Sequence, residues 1–192
     1  PFFLAAQDYI QVTESEYAGF KEMPVPAFKA EVLRVKKAAF MDSWEAFIKD
    51  QGKVAVVRTD FDVTVKQVVL KSVGSQPLNV YMHFEEMENG TRLFVAFEDT
   101  VTGFINPNDP KYGVALHKLV KDRAHVVFLD AKKGDLKVEE EQLEILEEEL
   151  AKVVSEGDKL TKKISAKNRE IEKLNQDIDI NKDVLLQVRN NV

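Results

Sequence analysis

The chain predicts an α+β protein: an antiparallel sheet with two helices in the order β-α-β-β-β-β-α, followed by a long coiled-coil helix. Three observations predict it. Runs rich in β-branched and aromatic residues between positions 27 and 98 are separated by turn-forming residues. Two apolar stripes at helical spacing flank those runs. From Leu136 onward, apolar residues recur in heptads to the C-terminus. These patterns divide the chain into residues 1–6, an apolar start; 7–26, an irregular lead-in; 27–134, the α+β domain; and 135–192, the coiled-coil helix.

The start, Pro1-Phe2-Phe3-Leu4-Ala5-Ala6, is apolar, ends in small residues and gives way to Gln7-Asp8. That is the pattern of the end of a signal peptide cleaved near Ala6, so a periplasmic or secreted location is expected. The lead-in carries Gly19, Pro24 and Pro26 and reads as irregular. Ala27–Leu33 alternates as a strand. In 36–50, Phe40, Trp44, Phe47 and Ile48 fall at i, i+4, i+7 and i+8, a helix closed by Gly52. Phe and Trp at that spacing form core far more often than a ligand pocket.

Four further strands are expected at Val54–Thr59, Val63–Ser72, Leu78–Glu86 and Thr91–Glu98. Asn89-Gly90 between the last two predicts a hairpin with a type I′ turn, because both residues tolerate positive φ. Asp109 is then the N-cap and Pro110 the first position of a second helix, whose stripe runs Leu116, Val120, Ala124, Val127 and Ala131. Val126–Leu129 also reads as a short strand. The element order is shared with helix-grip and TBP-like folds, an analogy of topology that carries no activity.

The C-terminal pattern is the most regular in the chain. Stepping by seven from Leu136 gives Leu143, Leu150, Gly157, Ile164, Ile171, Ile178, Leu185 and Val192. Three residues further on lie Glu139, Leu146, Val153, Leu160, Lys167, Leu174, Asn181 and Val188. Apolar residues fill 13 of these 17 positions but only 8 of the other 40 between 136 and 192. A generic amphipathic helix does not hold that phase over eight heptads. Such a stripe needs a partner: a second copy, another envelope protein, or the chain folded back at Ser155-Glu156-Gly157-Asp158. The phase passes unchanged through Gly157, which favours a continuous helix, about 85 Å long at ~1.5 Å per residue. Residues 136–157 carry a net charge of −6 and residues 158–192 a net charge of +2. Antiparallel pairing joins these halves, setting Glu140 and Glu147 near Arg189 and Lys182 but Glu156 near Asp177. Parallel pairing gives one attractive contact, Asp177 with Lys182, and Ile171 with Leu174 suits two parallel strands. A dimer is expected, its direction open.

The composition excludes much else. With 192 residues, 44% of them hydrophobic, the chain supports one core of ordinary size. A formal charge of −6 opposes a nucleic-acid footprint. The absence of cysteine removes disulfides, thiol nucleophiles and cysteine–zinc sites. No run reaches the ~20 apolar residues of a membrane span. Of the three histidines, His117 and His125 lie eight apart rather than the four that aim two rings at one metal. His83 sits in a strand, where only two gathered carboxylates would suggest catalysis. Asp60 and Asp62 read as a turn. Asn106, Asn108 and Asp109 hint at calcium but lack the late Glu of such a loop, and helix capping accounts for them. Lys159, Lys162, Lys163 and Lys167 read as a solvated helix flank. No phosphate-loop, dinucleotide or serine-hydrolase motif is present, so no cofactor or catalytic residue is expected.

The segment Ala27-Phe28-Lys29-Ala30-Glu31-Val32, leading to a Trp44-bearing helix, resembles a family of exported proteins from bacteria of the Bacteroidota group. The likeness continues through Leu78-Asn79-Val80-Tyr81-Met82-His83-Phe84-Glu85-Glu86, Leu93-Phe94-Val95-Ala96-Phe97, and the tail with Ile164, Ile171 and Ile178. It spans about residues 25 to 190. It departs at Val35-Lys36-Lys37, where that family often has a Gly-containing turn. The resemblance implies an envelope location and brings no known activity or functional residue. A non-enzymatic structural or interaction protein is therefore expected, assembling through Leu136, Leu143, Leu146, Leu150, Val153, Leu160, Ile164, Ile171, Leu174, Ile178, Leu185 and Val188. Alternatives are a domain enclosing a lipid or apolar small molecule between helix and sheet, and a periplasmic holdase chaperone.

Overall fold

The structure is a computed structural model that describes the backbone of residues 9–190 and the side chains of residues 9–187. The apolar start at residues 1–6, its cleavage point at Gln7, and the seam side chains Val188 and Val192 lie outside the described residues. The chain divides into two compact units, one ending at Asp135 and the other beginning at Leu136.

In the first unit the elements run β1 (Ile10–Tyr17), β2 (Val25–Leu33), α1 (Lys37–Gln51), β3 (Val56–Arg58), β4 (Asp62–Val69), β5 (Pro77–Met87), β6 (Gly90–Asp99) and β7 (Gly103–Phe104). A single long helix, α2 (Gly113–Asn190), follows. The strands form one antiparallel sheet in the order β1-β2-β6-β5-β4-β3, with β7 paired to the end of β6. Among the described residues the order is thus β-β-α-β-β-β-β-β-α, and two strands are added to those expected.

The first added strand corrects the reading of residues 7–26 as irregular. β1 pairs with β2 along its whole length, from Ile10 opposite Val32 to Tyr17 opposite Val25. Its apolar signal is weak because it is an edge strand, held by ladder hydrogen bonds and only partly buried. The hairpin at Asn89-Gly90 is present, but its turn residues are Glu88 and Asn89, and Gly90 pairs with Met87. Neither Asn89 nor Gly90 has positive φ, so the type I′ reading is corrected. Gly90 is required for another reason. A Cβ there would run into the Val32 carbonyl oxygen and lie 2.8 Å from the Leu33 Cα, so only glycine lets β2 approach so closely.

Alternation on β2, β4, β5 and β6 sends one set of side chains toward α1 and the first turns of α2. Phe40, Met41, Trp44 and Ile48 of α1 are buried there with Phe28, Phe84 and Phe97 from the sheet. Leu116, Leu119, Val120, Ala124 and Val127 close the same core, so Val126–Leu129 is helical and not a strand. Each such side chain stabilises the unit by about 1.5–3 kcal/mol. Arg123 ties the helices together: its guanidinium donates to the Ser43 carbonyl and hydroxyl and lies 4.8 Å above the Phe47 ring.

Asp109 starts α2. Its carboxylate accepts the N–H groups of Lys111 and Tyr112 at 2.8 and 2.9 Å, and its carbonyl accepts that of Gly113. The boundary expected near residue 134 does not interrupt the helix. A mid-helix glycine costs only about 1 kcal/mol, nothing crowds Gly134, and Lys132 and Asp135 form an ion pair across it at 2.9 Å.

Candidate functional site

The second unit is one uninterrupted helix. Gly157 lies inside it, and the Thr161 hydroxyl donates to the Gly157 carbonyl at 2.9 Å, four residues back along the helix. The fold-back at 155–158 is therefore not the conformation of this chain. Every described seam residue stands in the open: Leu136, Leu143, Leu146, Leu150, Val153, Leu160, Ile164, Ile171, Leu174, Ile178 and Leu185 are 50–69% exposed. Heptad spacing places all of them on one stripe, broken by Glu139, Gly157, Lys167 and Asn181. Ion pairs within the helix join the seam residue Lys167 to Glu170 at 2.6 Å and, outside the seam, Lys182 to Asp179 at 3.2 Å.

A second cluster, built around His83 with partners that the sequence did not bring together, lies on the sheet face turned away from α1. Asp62 of β4 and His83 of β5 are cross-strand partners, and the Asp62 carboxylate meets the His83 Nδ1 at 2.7 Å. On the other side of the ring, Nε2 lies 3.7 Å from Glu85. Glu85 is bound by Arg92 of β6 at 3.2 Å, and Arg92 donates to Glu31 of β2 at 2.8 Å. Lys29 completes the row at 3.5 Å from Glu31. The His83 ring is stacked against Tyr17, which also stacks on Phe94 at 4.6 Å. The small residues Ala27 and Ala96 make room for Tyr17, and Phe20 and Phe104 pack beside it as a minor second core.

Electrostatics along this face follow from the contacts. Partial burial pushes the Tyr17 hydroxyl above its ordinary value, and the Glu85 and Asp62 charges add to that. For Glu31, burial opposes ionisation, but the Arg92 hydrogen bond and the Lys29 and Arg92 charges outweigh it and hold the carboxyl below its ordinary range. Glu98 is lowered by its hydrogen bond from Asn79 and, despite burial, by that from Tyr81. Burial and that same Glu98 bond push Tyr81 up to about 12. Asp62 fixes the orientation of His83, as a general base requires. Glu85 stands next to Nε2, the nitrogen that would do such work, and Glu85 is itself held by Arg92. The row therefore ties β4, β5, β6 and β2 together through side-chain contacts.

The other singled-out residues do not gather. His117 packs edge-on to Phe28, and His125 is exposed. Asn106 and Asp109 cap backbone N–H groups in the turn before α2. Among the described residues no group of three or more His, Asp or Glu is arranged to hold a metal, and no helix is long and apolar enough to cross a membrane. Trp44, Phe40, Phe84 and Met41 pack between α1 and the sheet, where the alternative reading would put an apolar ligand. A surface groove of about 550 Å³ lies instead beside Phe47, Leu119, Arg123 and Val126. The sequence signal that could have found the Asp62–His83 pair is the strand register, which places them opposite each other once β4 and β5 are paired.

No protein-family model matches this chain, and no curated protein or solved structure is significantly similar to it.

Proposed function

We propose that this is a non-enzymatic assembly protein of the bacterial envelope, whose C-terminal helix packs against another helix along the seam. One observation carries the reading: eleven apolar seam side chains stand exposed on one stripe of an unbroken helix. Burying each contributes about 1.5–3 kcal/mol, so a partner helix offering a matching stripe binds with a large apolar gain. The sheet domain, with its own core, is then the part displayed or anchored by the assembly. The analogy of topology with helix-grip or TBP-like folds is supported by α1 following an early strand and α2 following the last.

Ile171→Asp tests the seam by placing a carboxylate in an apolar layer, where burial without a partner is costly. The mass measured by sedimentation is expected to fall to that of one chain, while the first unit unfolds at its original temperature. Lys167→Leu is expected to tighten the assembly. A wild-type chain that sediments as a monomer at every concentration, with no retained partner, overturns the proposal. The location is tested separately, by sequencing the N-terminus of native protein. A start at Gln7 supports export, and retention of Pro1–Ala6 overturns it.

A further inference from the structure

We infer that the partner of the seam is a second copy of this chain, laid antiparallel in one particular register; the inference rests on the helix pairing proposed above. The argument starts from the seam residues that suit a coiled coil least. In a parallel twofold dimer each seam residue meets its own copy. Gly157 then faces Gly157, and since a Cβ at that position would meet nothing within 4 Å of its own chain, that layer is left with a gap. Lys167 faces Lys167 and Glu139 faces Glu139, so two layers hold like charges.

Antiparallel pairing relieves these conflicts, because each layer joins unlike seam positions. One register sets Leu146 opposite Leu185, Val153 opposite Ile178, Leu160 opposite Ile171, and Gly157 opposite Leu174, whose side chain fills the glycine gap. Lys167 then faces Ile164. Its ammonium is already drawn to the flank by Glu170 at 2.6 Å, which leaves the aliphatic stem to cover the layer. Asn181 lies opposite Leu150 and Glu139 opposite Val192, the two polar seam residues that this register leaves against apolar ones.

The flanks select the same register. Glu147 comes beside Lys182 and Lys163 beside Glu170, each twice by symmetry, against Glu156 beside Asp177. Sliding by one heptad in one direction brings Glu149 to Asp177, Glu156 to Glu170 and Lys163 to its own copy. Sliding the other way brings Lys163 beside Asp177 but places Gly157 against Asn181 and Glu170 against its own copy. The parallel dimer has one attractive flank pair, Asp177 with Lys182. The preference of Ile at one seam position and Leu at the next for parallel pairing applies to the Ile171–Leu174 heptad alone. The acidic first part of the helix and the basic remainder complement each other only head to tail.

The chain has no cysteine, so engineered ones report cleanly. Leu160→Cys and Ile171→Cys chains, each alone, are expected to form no disulfide, and to cross-link rapidly when mixed. A spin label on Glu148→Cys, on the outer surface of the helix, leaves the seam intact. Antiparallel pairing in this register separates the two labels by about 50 Å, from ~1.5 Å per residue, whereas parallel pairing holds them within about two helix diameters, ~20–24 Å. Self-cross-linking of Ile171→Cys, or the short spin distance in a dimer, overturns the orientation while leaving the seam reading in place. A long distance without the mixed cross-link overturns the register. A mass of one chain by sedimentation overturns the seam reading itself.

Discussion

Up to Asp135 the protein buries most of its large apolar side chains, and from Leu136 on it displays them. Phe40, Trp44 and Ile48 are 0% exposed, whereas Ile171 and Leu185 are 54% and 69% exposed. The residue types are similar and their spacing is helical in both regions. The difference lies in what each helix meets. α1 has a sheet opposite it within the same chain, so its stripe is buried on folding. The distal part of α2 is one layer without a second, and folding alone leaves its stripe in water. Its helical form is supported locally, by favourable residues and by pairs such as Lys137–Glu141 and Lys167–Glu170, each worth about 0.2–0.5 kcal/mol. An apolar residue therefore stabilises the fold in the first region and becomes a tool for association in the second.

The sharpest way to break this contrast is to truncate one side chain on each side of it. Trp44→Ala is expected to destabilise the first unit by about 3–5 kcal/mol, read as a large drop in its melting temperature. Leu150→Ala is expected to leave that melting transition in place and to weaken self-association in sedimentation. If Leu150→Ala lowers the melting of the sheet domain as Trp44→Ala does, the two regions are not energetically separate.

A smaller effect is expected at Gly90. An alanine there drives a methyl into the backbone of β2, which costs about 1–3 kcal/mol if the strands must shift. Denaturant unfolding followed by Trp44 fluorescence measures it, and a stability equal to wild type would show that the strands separate without cost.

Smaller again are the titrations of the charged face. Glu31 and Glu98 are held below their ordinary range, so the stability they contribute is present above the unfolded carboxylate value and is lost as pH falls through their folded values. Arg92→Met removes the largest favourable contact of Glu31 and is expected to flatten the acid-side loss of the first unit. Tyr81 behaves oppositely. Its stabilisation is complete below the unfolded value near 10 and disappears as pH rises toward about 12. Tyr81→Phe is expected to reduce that alkaline loss. Neither change is expected to alter association, since both groups belong to the sheet domain.

Much of this architecture was legible in the residues themselves. The stripe Phe40, Trp44, Ile48 and the alternation in Leu78–Glu86 and Thr91–Glu98 announce their elements, because side-chain period and backbone geometry are locally linked. The heptads from Leu136 to Leu185 are equally local, and so is the unbroken helix through Gly157. What the residues could not announce depends on neighbours distant in the chain. β1 exists because β2 offers it a ladder, and its own sequence of Ile10, Val12, Glu14 and Glu16 carries little burial signal. Gly90 serves a close approach by Val32 and Leu33, visible only when β2 lies beside β6. The row from Asp62 through His83, Glu85 and Arg92 to Glu31 joins four strands that are sequential in space but not in the chain. Periodicity determined the elements and the exposed seam. Strand order and register, which long-range pairing alone decides, determined which charges and rings meet.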